Sequence, residues 1–453
     1  MIIGTGGNNM RSYWEDTVKY EEKPALEGDI STDVLIVGGG TAGLLCGYML
    51  KNSGADCVIA EAGRIGFGIT KGATAKITFQ HGCIYDSMIK KRGKENALKY
   101  LEIQKAACRE YEKLAERIDC SYEKRDAFVY SLNDREKIEK EALAYERLHE
   151  RAQFTVNTEL PFPVAGAVRT DHQAQFNPLQ FCRGLSKELK IYENTKVREI
   201  MPGMAKTDRG NIRFRKIIIA THFPIINKHG GYFIKMYQSR SYLTALKGAP
   251  LISGMYVDEN DTGFTFRSAG EYLFVGGGGH RTGKTDDSPE KLRQFSRKYY
   301  PEAREEYFWA AQDCITLDGI PYVGAYSEST PDMLVITGFN KWGFSSAMAG
   351  AMILKDIVFE RENEYADIFS PSRSMLSVKL FTNIFESAAG LLCPTVPRCP
   401  HLGCALKYNP LEHSWDCPCH GSRFEENGEL IDNPAIKNAE CRTQSAKRFK
   451  SSR

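Results

Sequence analysis

The chain has 453 residues, of which 42% are hydrophobic and 26% charged, and its formal net charge at pH 7 is +3. That length accommodates two or three domains with separate cores, and the near-neutral balance argues against a surface built to coat nucleic acid. No window approaches the roughly 18 apolar residues of a membrane span, and the opening "MIIGTGGNNMRSYWEDT" has no basic region followed by a long apolar core, so it does not read as a signal peptide.

Residues 1–29 read as a disordered lead, with Met10 an alternative start. "IIGTGG" mimics a glycine loop, but two apolar residues are too few for the strand that should precede one. The first strong signal is "TDVLIVGGGTAGLLCGYML", Thr32 to Leu50. A short apolar strand meets Gly38, Gly40 and Gly43 in G-x-G-x-x-G spacing, and an Ala/Leu-rich helical pattern follows through Thr41 and Ala42. Gly38 permits the tight turn, Gly40 a close backbone approach to a pyrophosphate, and Gly43 the packing of helix on strand. The helix N-terminus offers unpaired N–H groups to phosphate. A second strand, "DCVIAEA", ends in Glu61, an acid placed to accept hydrogen bonds from ribose hydroxyls. Strand, loop, helix, strand and acid in order predict a dinucleotide site.

"GRIGFGITKGATAKITFQHG" follows at once, and its Gly68, Thr70, Ala73 and Thr74 suit close approach to a second phosphate and a flavin ring. The stretch Lys94 to Ile118 has apolar residues at helical spacing and reads as packing in or beside a substrate-side domain. "RKIIIATHFP" is a buried-type strand ending at Ala220 and Thr221. "TLDGIPYVG" and "DMLVITGFNKWGFSSAMAGAMILKDIV" give a further strand, a turn at Gly338, and a helix whose N-terminus at Gly343 points a positive dipole end toward the flavin. "FVGGGGHRTG" lacks the spacing of a second dinucleotide loop, so reduction by substrate is favoured over reduction by a nicotinamide. Arg240 and Arg267 are candidate substrate clamps. His81, Tyr242, His280 and Lys341 are candidate flavin-facing groups with a structural role at least as well supported, and the catalytic residues stay unassigned.

These motifs resemble the FAD-dependent oxidoreductases of the D-amino-acid oxidase and glycine oxidase type over most of residues 30–370. The resemblance implies a small-molecule amine or amino-acid-like substrate and FAD adenine against the strand around Val197. The context of Cys314 does not match a flavin-attachment pattern, so the FAD is expected to be noncovalent. It also implies a discontinuous α/β, Rossmann-like FAD domain (30–85, 165–225 and 313–370) with an antiparallel α+β substrate domain (86–164 and 226–312) inserted in it.

Seven of the thirteen cysteines are scattered singly and read as buried thiols; the rest gather near the end. Without an export signal this pattern suggests a reducing, cytoplasmic setting and a metal rather than a disulfide scaffold. Cys399-x-His401 and Cys417-x-x-His420 form two loops separated by fifteen residues, each supplying one thiolate and one imidazole. Such a set fits a 2Fe–2S centre or tetrahedral zinc. Each loop also holds a further cysteine, Cys404 and Cys419. The string "CPHLGC…CPCHGS" resembles the Rieske proteins of cytochrome bc complexes. By that resemblance Cys399, His401, Cys417 and His420 are the iron ligands and Cys404–Cys419 a bridge, within a small all-β domain at 391–453 joined by a linker at 371–390. Phe424 stands where high-potential relatives carry a tyrosine. With one hydroxyl fewer toward the cluster, its potential is expected to fall below theirs, and potentiometry giving an equal or higher value would refute this.

The whole combination resembles bacterial FAD-dependent oxidoreductases with a C-terminal Rieske domain. It implies a dehydrogenase that passes electrons from FAD through the cluster to a one-electron carrier protein or quinone. An oxidase with a structural or regulatory cluster, a reductase fed through the cluster, and a redox-sensing module remain alternatives.

Overall fold

The computed structural model describes residues 10–226, 229–284, 287–374, 380, 383, 390–391, 393 and 397–441. Val34–Val37 is buried at all four positions, as the central strand of a parallel sheet covered on both faces must be. That sheet has six strands in the order Tyr322–Ala325, Met333–Thr337, Lys216–Ile219, Val34–Val37, Cys57–Ala60 and Ile191–Tyr192. All its neighbours run parallel except the antiparallel edge strand Tyr322–Ala325. The two-residue period of a strand divides its side chains between two cores. Val34 and Ile36 pack with the helices Thr41–Asn52 and Gly343–Val358, through Leu44, Ala347 and Leu354. Leu35 and Val37 pack on the other face with Val197, Ala205 and Ile212 of a four-stranded sheet: Ile30–Ser31, Asn211–Arg213, Met204–Thr207 and Val197–Met201.

The second large unit is a nine-stranded sheet in the order Arg304–Thr316, Met236–Lys247, Tyr272–Arg281, Phe264–Ala269, Met255–Asp258, Glu123–Ser131, Gly166–Gln175 and Lys76–Ile77, with Gln153–Thr155 on Gly166–Gln175. Its pairs are antiparallel except Met255–Asp258 with Glu123–Ser131. Motif positions set the domain boundaries differently from these ladders. Gly166–Gln175, Lys76–Ile77 and the end of Arg304–Thr316 belong to this sheet, not to the parallel one, because long-range pairing with Glu123–Ser131 and Met236–Lys247 claims them. The helix Tyr85–Ala115, broken at Gly93 (φ 84°), also sits differently. It packs on Gly343–Val358, where the Tyr111 hydroxyl donates to the Phe344 carbonyl at 3.1 Å.

Residues 10–29 are not a free lead. Ser12 caps the short helix Tyr13–Asp16 and its hydroxyl donates to the Lys71 carbonyl, while buried Trp14 donates from its indole N–H to the Ala73 carbonyl at 2.8 Å. An aromatic pair with an indole donor anchors the segment from residue 10, part of the stretch expected to be a disordered lead. Among the described residues no helix is long and apolar enough to cross a membrane. Most of the linker 371–390 and the tail beyond 441 lie outside the described residues. The C-terminal unit is an antiparallel sheet of Lys407–Asn409, Ser414–Asp416, Arg423–Glu425 and Leu430–Asp432 around a core of Cys399, Leu406, Cys417 and Phe424.

Candidate functional site

One large cavity, about 1320 Å³, opens at the C-terminal end of Val34–Val37 and runs between the parallel sheet and the nine-stranded sheet to the C-terminal unit. Its wall includes Gly38, Gly40, Thr41, Ala42, Glu61, Gly68, Thr70, Ala73, Thr74, Val197, Ala220 and Gly343. Gly43 and Gly338 lie behind it. A Cβ on Gly43 would stand 1.8 Å from the Gly38 carbonyl oxygen, and one on Gly38 would stand 2.5 Å from that of Ala220. The helix Thr41–Asn52 has no capping side chain at Gly40. Its Thr41 N–H donates to the Thr70 hydroxyl at 3.2 Å, and the helix end lines the cavity where its dipole favours an anion. Glu61 accepts from the Gly39 and Gly63 amides at 2.6 and 2.8 Å, while burial raises the pKa of its carboxyl. Turn, helix end and buried acid fit a dinucleotide.

The cavity's far floor is made by alternate residues of two paired strands: Tyr237, Ser239 and Ser241 on one, Ala311, Asp313 and Ile315 on the other. Sequence reading missed these, because polar residues stand on both faces of Met236–Lys247 and no alternation singles out the cavity side. His81 lines the cavity but is engaged by Tyr100, Thr78 and Ser345 and stacks on Trp342, and burial lowers its pKa to about 3. His280 and Lys341 also face the cavity. Arg240, Arg267 and Tyr242 do not. Arg240 and Tyr242 bind Glu412 of the C-terminal unit, and Arg267 donates to the carbonyls of Thr74 and Ala75.

The two Cys/His loops are built alike. Gly403 and Gly421, at φ 82° and 84°, each donate their N–H to the carbonyl four residues back, that of Cys399 or Cys417, at 2.9 Å. Left-handed glycines close both loops and turn their cysteines inward. The Nδ1 atoms of His401 and His420 face each other at 3.3 Å, and burial lowers both pKa values to about 4. The His420 Nε2 is buried without a partner among the described residues. The sulfurs of Cys404, Cys417 and Cys419 lie within 4.8 Å of one another. Hydrogen bonds from Cys399, Cys404 and Cys419 lower the pKa of the Cys417 thiol. Neutral imidazoles sharing one focus, beside a thiolate, are the protonation states that a metal centre requires, and the donor set fits a 2Fe–2S cluster. No S–S bond joins Cys404 to Cys419 in this structure.

The C-terminal unit is seated on the cavity. Asp432, Asn433, Ala435 and Ile436 form part of its wall. Gln238 donates to the His420 and Asn433 carbonyls at 2.9 Å, Gln312 to the Gly421 carbonyl at 3.0 Å, and Arg281 to the Pro418 and Cys419 carbonyls at 2.9 and 2.8 Å. Asn433 returns bonds to the carbonyls of Thr221 and Phe223, next to Ala220. The rings of Phe223 and Phe233 stand 6.5 and 6.0 Å from that of His420.

Residues 33–357 match the family model described as FAD dependent oxidoreductase, and residues 372–446 match that of the Rieske [2Fe-2S] domain. The chain belongs to the FAD-dependent oxidoreductase family and carries a C-terminal Rieske domain. A curated relative shares both parts: the putative Rieske 2Fe-2S iron-sulfur protein YhfW of Bacillus subtilis (strain 168) is 33% identical, over 94% of this chain and 96% of its own. Among solved structures, the glycine oxidase of Geobacillus kaustophilus aligns with a TM-score of 0.66 at 19% identity, covering 76% of this chain and 99% of its own. The L-proline dehydrogenase of P. horikoshii aligns at 0.65 and 17%, covering 77% and 98%. These two establish the fold of the oxidoreductase part. The family's cofactor is FAD and that of the Rieske domain a 2Fe–2S cluster.

Proposed function

We propose that this FAD-dependent oxidoreductase is a dehydrogenase, oxidising a small amine or amino-acid-like substrate and delivering the electrons singly, by way of its Rieske domain, to a carrier protein or quinone. The observation that carries this reading is the shared wall: one cavity is bounded at one end by the glycine loop and at the other by Asn433 and its neighbours in the Rieske domain. Bound FAD supplies a two-electron hydride acceptor and the 2Fe–2S cluster a one-electron centre.

In this reading Gly38, Gly40 and the N-terminus of Thr41–Asn52 hold the pyrophosphate, Glu61 the ribose, Val197 the adenine, and Ala73, Thr74 and Gly343 the flavin end. Cys399 and Cys417 supply the thiolates, His401 and His420 the imidazoles, and Cys404 and Cys419 the bridge. Buried Phe223 follows the strand end at Ala220, and its ring stands 6.5 Å from that of His420. The names of the structural neighbours support the substrate class, since glycine and L-proline both carry a C–H bond beside an amine nitrogen. The thiols described throughout the oxidoreductase part suit a cytoplasmic setting.

Anaerobic stopped-flow mixing with a panel of amines and N-methyl amino acids tests the reading. Flavin absorbance should bleach first and the cluster's visible band should change after it. A cluster that never changes oxidation state would leave an oxidase, and one that reacts first would leave a reductase.

A further inference from the structure

The nine-stranded sheet carries one rung of polar side chains across the cavity floor. Ser239 pairs with Asp313 on one side and with Arg281 on the other, and all three line the cavity. These three positions differ in what already occupies them. Arg281 is committed to the Rieske loop through two carbonyls and lies over the Tyr237 ring at 5.0 Å. Lys341, the charged neighbour that acts on Asp313, donates to the Asp261 carbonyl at 3.1 Å. The carboxylate of Asp313 has no hydrogen bond and no ion pair among the described residues. Asp313 is half-buried and faces the cavity, and a carboxylate left without a partner on a cavity wall is open to a cationic or hydrogen-bonding ligand.

The two arginines that the sequence offered as anion clamps are spent elsewhere. Arg240 is paired with Glu412, and Arg267 is tied to the carbonyls of Thr74 and Ala75. Among the described residues Asp313 is thus the charged member of this rung without a bonded partner, while Arg281 and Lys341 are tied to carbonyls. Ala311, two residues before Asp313 on the same face, packs near Gly72, next in sequence to the flavin-end residues Ala73 and Thr74.

Building on the amine-dehydrogenase reading, we propose that Asp313 is the substrate-binding residue, and that the substrate is a primary or secondary amine recognised through its ammonium group rather than through a carboxylate. Ser239 holds the same rung open to the ligand. Asp313 then serves as the proton acceptor: its carboxylate takes one N–H proton from the bound ammonium, leaving a neutral amine with its lone pair and a neutral carboxylic acid. Only that proton moves in this step. Burial raises the carboxyl pKa to about 6, which suits it to accept a proton near neutral pH.

The test is calorimetric titration of the FAD- and cluster-loaded full chain with two probes, ethylammonium chloride and sodium propionate. Ethylammonium should bind wild type, bind Asp313→Asn at least tenfold more weakly, and bind Asp313→Glu with most of its affinity restored; propionate binding should not weaken in Asp313→Asn. Asp313→Ser replaces Asp313→Asn if the latter does not load FAD. A loss of less than tenfold in the uncharged variant, or no ethylammonium binding to wild type, overturns the assignment. If amines bleach the wild-type flavin while Asp313→Asn binds ethylammonium normally, the assignment fails and the dehydrogenase reading stands. If Asp313 controls ethylammonium binding but no amine bleaches the flavin, the dehydrogenase reading fails and the cation site stands.

Discussion

Glu412→Gln is expected to loosen the Rieske domain from the oxidoreductase part while leaving both cofactors bound. Glu412 is almost wholly buried at 1% side-chain exposure and pairs with Arg240 across the interface and with Arg423 inside its own domain. Arg423 keeps Asp416 and Asp432 when Glu412 is lost, but Arg240 has no other acidic partner among the described residues. An uncompensated buried guanidinium costs roughly 3–5 kcal/mol. An independent route agrees. Although burial raises the carboxyl pKa, Arg240 and Arg423 together draw it down from 4.5 to about 2, and a depression of that size corresponds to about 3 kcal/mol at neutral pH. The sign follows from linkage: this stability is fully present above about pH 4.5 and is lost as pH falls through about 2. Urea unfolding followed at the cluster band should therefore show a destabilisation of about 3 kcal/mol in Glu412→Gln at pH 7. That gap should narrow on acidification, because only the wild type has the ion pair to lose. A variant within about 0.5 kcal/mol of wild type would mean that the pair does not hold the interface.

The interface explains what the sequence could and could not disclose. Local motifs were legible because their chemistry is local. The glycines of the first turn, Glu61 at the next strand end, and the two Cys/His loops each lie in short sequence motifs, and twelve of the proposed cofactor residues stand on one cavity. Arg240 and Tyr242 were misread because what defines them is Glu412, some 170 residues away in sequence. A charged residue in a buried strand signals that a partner exists without saying where it is. Asp313 was passed over for a related reason. Its neighbours Ser239 and Arg281 reach it only through cross-strand register, and register depends on pairings that no single strand encodes. The N-terminal segment was misread for another reason: the weak "IIGTGG" loop drew the reading to a disordered lead, while Tyr13 and Trp14, which pack into the core, went unused.

Two glycine substitutions separate what the fold needs from what the cofactor needs, and they carry the largest effects on FAD. Gly43→Ala places a Cβ 1.8 Å from a backbone oxygen of the turn, with the Gly38 carbonyl carbon at 3.0 Å, and no side-chain rotation relieves that contact. The helix must move off the strand, a cost of about 1–3 kcal/mol, and the cradle loses its shape with it. Gly40→Ala meets nothing closer than the Thr70 hydroxyl at 3.6 Å, an ordinary contact. The protein alone gives no reason for glycine at position 40, so the reason is the ligand that lies against its backbone. Gly43→Ala is therefore expected to lower the thermal stability of the FAD-free protein and to weaken FAD retention by about 100-fold or more, in line with roughly 3 kcal/mol. Gly40→Ala should leave FAD-free stability unchanged and weaken FAD retention alone. The cluster band should survive in both, since the core around Cys399, Cys417 and Phe424 does not include the turn. Flavin-to-protein ratios after gel filtration, read beside melting curves of the FAD-free forms, decide the matter. Full FAD occupancy in Gly40→Ala would mean that the pyrophosphate does not lie against this loop.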